Sequence, residues 1–211
     1  MWICAKRVVQ YLLGTRTHLV LKAILLCGGK GSRIGIYKHL LIKEGMTAVC
    51  WWQKLFQSLQ IDFRIACKAS HGLDQNRFPL LLEEESAHSP LHGIVNAISN
   101  FPNEALLVVA VDLLYCSPKD IVSLIQKKHP DFPAICYEDT QASLKFPLLT
   151  LYQPQIFHEL RHELLAGKQS ARNVLTRSNA KSIVAASPKI LLGVNTISEY
   201  QSYVFQEKSR W

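Results

Sequence analysis

Short apolar runs alternate with longer amphipathic stretches along this chain, and the two periods take turns. Lys22–Cys27 (KAILLC) is an apolar run ending in Gly-Gly, the form of a buried strand that enters a glycine loop. Ala48–Leu59 has helical spacing, with Val49, Trp52, Leu55, Phe56 and Leu59 on one side. Phe63–Cys67 and Pro79–Leu82 read as strands, Leu91–Ser99 as a helix, and Ala105–Val111 (ALLVVAV) as a strand buried on both faces. Ser117-Pro118 opens a helix over Lys119–Lys128, with serine at the cap and proline in the first turn. Phe132–Tyr137 and Phe146–Tyr152 are strands, and Pro154–Leu165 is a helix closed by Gly167. A final helix over Ser198–Phe205 follows Gly193-Val194-Asn195-Thr196. This alternation predicts an α/β three-layer sandwich with a mostly parallel sheet. No repeat or linker divides it, so 22–206 is expected to be one domain behind a basic extension over 1–21.

Composition narrows the class. The 211 residues are 48% hydrophobic and 19% charged, enough to fill a core. The run Leu19–Cys27 is interrupted by Lys22 and is far too short to span a bilayer. No apolar stretch precedes a small-residue cleavage site, which argues against secretion. The six cysteines include no C-x-x-C pair, and four lie in apolar runs, so buried thiols in a reducing, cytoplasmic setting are expected rather than disulfides or zinc ligands. Lys and Arg number 24 against 16 acids, a net charge of +8. Four of those cations (Lys6, Arg7, Arg16, Lys22) lie within 1–22, where no acid occurs. The rest carries 20 against 16, so half of the excess comes from a tenth of the chain. No basic stripe interleaved with aromatics and no helix-turn-helix pattern points to nucleic acid. A substrate bearing several phosphates uses the same charge.

In α/β sheets ligands bind beyond the carboxyl ends of the strands, so residues following the strands are the candidates. After the first strand, Cys27-Gly28-Gly29-Lys30-Gly31-Ser32-Arg33-Ile34-Gly35 packs four glycines into eight positions, with Arg33 and Lys38 as flanking cations. The segment is either a flexible turn or a cradle whose N–H groups surround a phosphate. It matches neither the P-loop nor the dinucleotide fingerprint, since Ile34 stands at the third glycine of the latter. Asp112, directly after ALLVVAV, is a turn aspartate or a ligand for Mg²⁺ on nucleotide phosphates. Glu83-Glu84-Glu85 is a solvated edge, or else one of its carboxylates accepts hydrogen bonds from the N–H groups of a base. Asn195 is a turn residue or a polar contact in the crevice. His158-Glu159-Leu160-Arg161-His162 fits the zinc-protease pattern, but a third ligand is missing and two exposed helix histidines are expected.

Taken in order, these blocks resemble the molybdenum cofactor guanylyltransferases (the MobA family). LCGGKGSRIGIYKHLL resembles that family's L-A-G-G-x-x-x-R-M-G-x-x-K-x-L-L, SPLHGIVNAI its G-P-L-A-G-I, and VVAVDLLYCSP its strand ending in C-D-x-P. FPLLTLY is similar to H-P-x-x-A-L-Y, LLAGKQSARNVL to L-x-x-G-x-R-x-v-x-x-x-L, and GVNTISEY to N-x-N-T-P-E-D-L. The likeness spans about 22–203. It implies a single-domain Rossmann-like fold of the nucleotide-diphospho-sugar transferase type. It also implies a Mg²⁺-dependent enzyme that joins GMP from GTP to the phosphate of molybdopterin or Mo-molybdopterin, releasing pyrophosphate. Its partners would be those substrates and the molybdoenzymes or other cofactor-biosynthesis proteins served, with no nucleic acid and no membrane.

Carried over by position, Leu26, Gly28, Gly29 and Lys38 would hold GTP, with Lys38 and Arg33 on its phosphates. Asp112 would hold Mg²⁺, Glu84 would read guanine, and Asn195 would stand at the metal and substrate end. Departures from the family pattern are Cys27 for alanine, Tyr37 for an acid, Lys68 for asparagine, Glu84 for aspartate, Ser89 for glycine, Leu114 for proline and Gly193 for asparagine. They leave two alternatives: a relative using another nucleotide or acceptor, and a module that binds cofactor without catalysis.

Overall fold

The computed structural model describes residues 21–28, 33–139 and 142–208. The basic extension predicted over 1–21 therefore lies outside the described residues except for Leu21, which begins the first strand. Nine strands are described. In the first half these are β1 (Leu21–Leu26), a hairpin of β2 (Ile42–Lys43) and β3 (Met46–Thr47), β4 (Asp62–Lys68) and β5 (Leu80–Glu83). In the second half they are β6 (Ala105–Ala110), β7 (Ala134–Asp139), β8 (Leu144–Tyr152) and β9 (Lys181–Val184). The helices in chain order are α1 (Ala48–Ser58), α2 (Pro90–Asn100), α3 (Pro118–Gln126), α4 (Phe157–Leu165), α5 (Ala171–Arg177) and α6 (Ile197–Lys208).

Seven strands form one sheet in the order β5-β4-β1-β6-β8-β7-β9. Four of its six neighbouring pairs are parallel. The exception is β8, which runs against both β6 and β7. Toward β7 the reason is local: only four residues separate Asp139 from its partner Leu144, and so short a connection joins only antiparallel strands. Two helical layers cover the sheet. Val49, Trp51, Trp52, Leu55 and Phe56 of α1 pack on one face with Ile121 and Leu124 of α3 and Tyr203 of α6. Leu91, Ile94 and Ile98 of α2 pack on the other with Leu160 of α4 and Val174 of α5. Every residue of β6 is buried, as a strand covered on both faces must be. The three-layer α/β/α sandwich with a mostly parallel sheet is thus as the alternation predicts.

Most ends of elements differ by a residue or two, and several features go beyond the apolar pattern. The segment Pro154–Ile156 is a tight 3-10 turn before α4, and β9 is partly exposed at the sheet edge. The β2–β3 hairpin turns through Glu44 and Gly45, both at positive φ (49° and 77°), as a two-residue hairpin turn matching strand twist requires. Its two-residue strands are too short to show alternation. Lys22 belongs to β1, as its place in the apolar run predicts, and its ammonium is buried against Asp62 and Glu104 and lies over the ring of Phe101.

The chain makes β1, then β4 and β5 on one side of it, then crosses back to place β6 on the other side. The strand order reverses between β1 and β6, and the crevice outside their carboxyl ends is where this topology puts a ligand. The two ends are joined there by the Val111 N–H donating to the Leu26 carbonyl at 3.1 Å.

Candidate active site

Four segments meet at that crevice. Leu26 is buried at the end of β1, and Gly28 beyond it is exposed, with open space where a Cβ would stand. Gly29 lies outside the described residues. Arg33 is exposed at the far side of the loop and makes no ion pair among the described residues. Lys38 opens a 3-10 turn (Lys38–Leu40) that delivers its ammonium to the ends of β1 and β6.

There the ammonium donates to Asp112 Oδ2 at 2.6 Å and to Oδ1 of Asn195. Residues 38, 112 and 195 are widely separated in sequence, and only the fold brings them together. Asp112 lies two residues beyond β6 and is 8% exposed. Its backbone carbonyl accepts from the Val194 N–H at 3.1 Å, fastening the segment before α6 to the end of β6. A Cβ added at Gly193 would lie 3.1 Å from Asp112 Oδ2 and 3.3 Å from Asn195 Nδ2, so one of those side chains would have to give. Asn195 also donates from Nδ2 to the Gly193 carbonyl at 2.7 Å, which leaves its Oδ1 turned toward Lys38.

A residue not singled out from the pattern holds Asn195 in place. Glu199 Oε2 accepts from the N–H groups of Asn195 (2.7 Å) and Thr196 (2.9 Å), while Thr196 Oγ1 accepts from the Glu199 N–H (3.2 Å). This is a reciprocal cap at the start of α6, and Thr196-x-x-Glu199 is its sequence signal. Hydrogen bonds from the Asn195 and Thr196 backbone, with Lys38 nearby, hold the Glu199 carboxyl below its ordinary pKa.

The three carboxylates of the acidic run are placed differently. Glu84, which the family resemblance places at the base, is exposed, and its carboxylate accepts from Ser86 Oγ at 3.1 Å. Glu85 is exposed too and ties to Ser70, from which it accepts at 3.0 and 2.8 Å. Glu83 is the carboxylate that turns inward. It ends β5 in register with Lys68 of β4, and its Oε1 fills the space beside Gly93 of α2. Successive side chains at a strand end point to opposite faces, so a one-residue shift decides which carboxylate reaches the crevice. Burial raises the pKa of Glu83, opposed by the charge of Lys68. Lys68 itself donates to the Glu85 carbonyl at 2.6 Å. An added Cβ at Gly93 would meet Glu83 Oε1 at 2.5 Å and Leu26 Cδ2 at 2.9 Å. Gly93→Ala is therefore expected to cost about 1–3 kcal/mol by overpacking. Urea unfolding would measure it; an unchanged midpoint would mean that the Glu83 carboxylate swings away freely.

Next to Lys38 in the chain, Tyr37 and His39 pack with His71 as a group of three rings. Tyr37 stacks on His39 at 5.4 Å between ring centroids and lies 5.5 Å from His71, and its hydroxyl donates to the Ser70 carbonyl at 3.1 Å. Both histidines are buried. Burial lowers the pKa of each, reinforced for His39 by His71 and for His71 by Lys68, with Glu85 opposing at His71. A lowered folded pKa means that the unfolded chain takes up the proton first. The stabilisation is therefore complete above about pH 6.5 and is lost as pH falls through the lowered folded values. The melting temperature is expected to drop between about pH 7 and 5, and His39→Phe should flatten that slope. An identical slope in the variant would remove His39 from the effect.

His158 and His162 are exposed on α4 with ring centroids 6.5 Å apart. No group of three metal-ligating side chains occurs among the described residues. Five described cysteines are free, and four of them are buried. No helix among the described residues is long and apolar enough to cross a membrane.

Gly28 after the first strand, a lysine–aspartate pair and a half-buried carboxylate beside a helix start stand at the carboxyl ends of the parallel strands, where α/β folds take their ligands. The chain belongs to the MobA-like NTP transferase domain family, which matches residues 23–182. It is 22% identical over 185 residues to a molybdenum cofactor guanylyltransferase of Campylobacter jejuni, covering 87% of this chain and 95% of that one. It is 26% identical over 136 residues to a molybdenum cofactor biosynthesis bifunctional protein of Synechocystis, covering 64% of this chain but only 39% of that longer protein. Among solved structures, molybdopterin-guanine dinucleotide biosynthesis protein A of Archaeoglobus fulgidus superposes with a TM-score of 0.71 at 17% identity, over 88% of this chain and 99% of that one. That last likeness shows the fold.

Proposed function

We propose that this protein transfers GMP from GTP to the phosphate of molybdopterin or Mo-molybdopterin, forming the guanine dinucleotide and releasing pyrophosphate in the cytoplasm. The observation that carries the reading is the Lys38–Asp112–Asn195 cluster at the carboxyl ends of β1 and β6. The names of the relatives supply the acceptor.

The residues present fit Mg²⁺. Asp112 and Asn195 offer hard oxygen donors, and Asp112 Oδ1 accepts no hydrogen bond among the described residues. Gly193 places no side chain over them. One carboxylate and one carboxamide suit an ion that takes most of its remaining ligands from water and substrate phosphates. When bound, Mg²⁺ would neutralise charge on the phosphates.

The chain's own groups do the rest. Gly28 and Gly29 let backbone approach the triphosphate, and Arg33 and Lys38 supply positive charge to it. An oxygen of the acceptor phosphate attacks the α-phosphorus of GTP. A P–O bond forms, the bond from the α-phosphorus to the bridging oxygen breaks, and pyrophosphate leaves with the electron pair. The attacking phosphate is already ionised at neutral pH, so no general base is needed and the protein acts by positioning and charge. At the other end of the crevice, the Glu83 carboxylate accepts from the N1–H and N2–H groups of guanine, and the neighbouring Lys68 ammonium suits O6.

Two measurements test this. Stabilisation by ligand follows RT ln(1 + [L]/Kd), about 2.7 kcal/mol at a hundredfold excess over Kd, so melting with GTP, CTP, UTP and ATP, with and without Mg²⁺, should single out Mg²⁺ with GTP. Purified protein with GTP, Mg²⁺ and molybdopterin should then yield guanine dinucleotide and pyrophosphate. Stabilisation by another nucleotide would reassign the base, and no stabilisation by any would favour a cofactor-binding module.

A further inference from the structure

Lys43 is a buried cation close to the site, and nothing in the reaction above uses it. It ends β2, just beyond the turn that carries Lys38, and is 4% exposed. Its ammonium donates to the carbonyls of Leu114 and Cys116, the latter at 2.8 Å, and lies 4.0 Å from the centre of the Trp51 ring. Both carbonyls belong to the turn that directly follows Asp112. That turn is tight: Leu113 N–H donates to the Ala110 carbonyl (3.3 Å), Leu114 N–H to Asp112 (2.9 Å) and Cys116 N–H to Leu113 (3.2 Å).

We propose that Lys43 is a positioning residue that fixes Asp112 by clamping the 113–116 turn to the hairpin behind Lys38. A buried ammonium is costly unless hydrogen-bonded, and its charge-assisted bonds are worth roughly twice neutral ones. Two carbonyls and an aromatic face meet that cost here, and the same bonds stop the turn from shifting. One side chain thus joins the segment that carries Lys38 to the segment that carries Asp112, and so sets the separation of the pair. This role in catalysis rests on the transferase reading, whereas the clamp itself does not.

The test compares Lys43→Met, similar in length but without donors, with Leu160→Ala, a destabilising change in the opposite core layer. Two properties are read in the full chain: amide hydrogen exchange, and Mn²⁺ binding with GTP followed by the paramagnetic resonance of free Mn²⁺. Lys43→Met should speed exchange at Leu113, Leu114 and Cys116 well beyond any change in Leu160→Ala. It should also weaken Mn²⁺–GTP binding by about 10- to 100-fold, the usual effect of removing a group that orients a ligand, while GTP binding without metal holds. If the turn stays protected, or if Mn²⁺–GTP binding falls no further than in Leu160→Ala, Lys43 is only a core residue and the proposal fails. If the unaltered protein binds no Mn²⁺–GTP, the transferase reading falls instead, and exchange in the turn alone decides for or against the clamp.

Discussion

Asp112→Asn is expected to lower kcat for guanylyl transfer by about 10²- to 10³-fold, the range seen when one preorganised electrostatic group is removed from a site. The substitution keeps shape and removes one negative charge. The Val194 N–H would still find the backbone carbonyl of residue 112, so the segment before α6 stays docked. What disappears is the charge that faces Lys38 at 2.6 Å and the carboxylate proposed for Mg²⁺. The Lys38 ammonium would then neutralise bound phosphate without a carboxylate competing for it. GTP binding in the absence of metal should therefore hold or tighten while the Mg²⁺-dependent rise in melting temperature shrinks. Pyrophosphate release under saturating GTP and molybdopterin measures the first effect, and thermal melting with and without Mg²⁺ the second. A variant with wild-type kcat would take Asp112 out of the site.

Glu83→Gln is expected to cut the preference for GTP over ATP by roughly tenfold or more, since a well-placed bidentate pair contributes about 1–3 kcal/mol of discrimination between bases. Guanine offers two adjacent donors, N1–H and N2–H, which a carboxylate can accept together. A carboxamide accepts with one oxygen and presents an N–H to the other. Adenine offers an acceptor at N1 and gains by the change. Glu84→Gln should leave the ratio where it is, because that side chain is exposed and bonded to Ser86. The pair of variants separates the carboxylate chosen by the fold from its neighbour in sequence. The raised pKa of Glu83 adds a pH signature. Its preference for guanine should fade as acid protonates it, at a higher pH than an ordinary carboxyl would require. Competition binding of GTP and ATP across pH would show it, and a larger effect from Glu84→Gln would overturn the assignment.

Much of the architecture was legible in the order of residues. Apolar runs of strand length at 22–27, 63–67 and 105–111 are the signature of strands covered on both faces. Ser117-Pro118 marks the start of α3, and Gly167 stands at φ 72° after α4, because local chemistry suffices at helix ends. The hairpin of β2 and β3 was not legible, because two-residue strands carry no period and Glu44 is not a usual residue for positive φ.

The candidate site divides in the same way. The glycine loop, Lys38, Asp112 and Asn195 could be chosen from the sequence because each follows a strand or precedes a helix, and strand ends are where α/β ligands bind. Which of three successive glutamates enters the crevice could not be chosen, since a one-residue difference in where β5 ends reverses the face. That Lys38 meets Asp112 and Asn195, across 74 and 157 residues, depends on the return of β6 to the side of β1 and on the docking of residue 194 against 112. That Lys43 holds the turn after Asp112 depends on the hairpin, whose place is set by packing on α1 and not by any local pattern. The sequence by itself determined the strands, the helices and the chemical groups at their ends, because short-range sterics and burial periodicity decide those. Only the tertiary structure decided which groups face one another, because contacts between distant segments are fixed by strand order and side-chain packing.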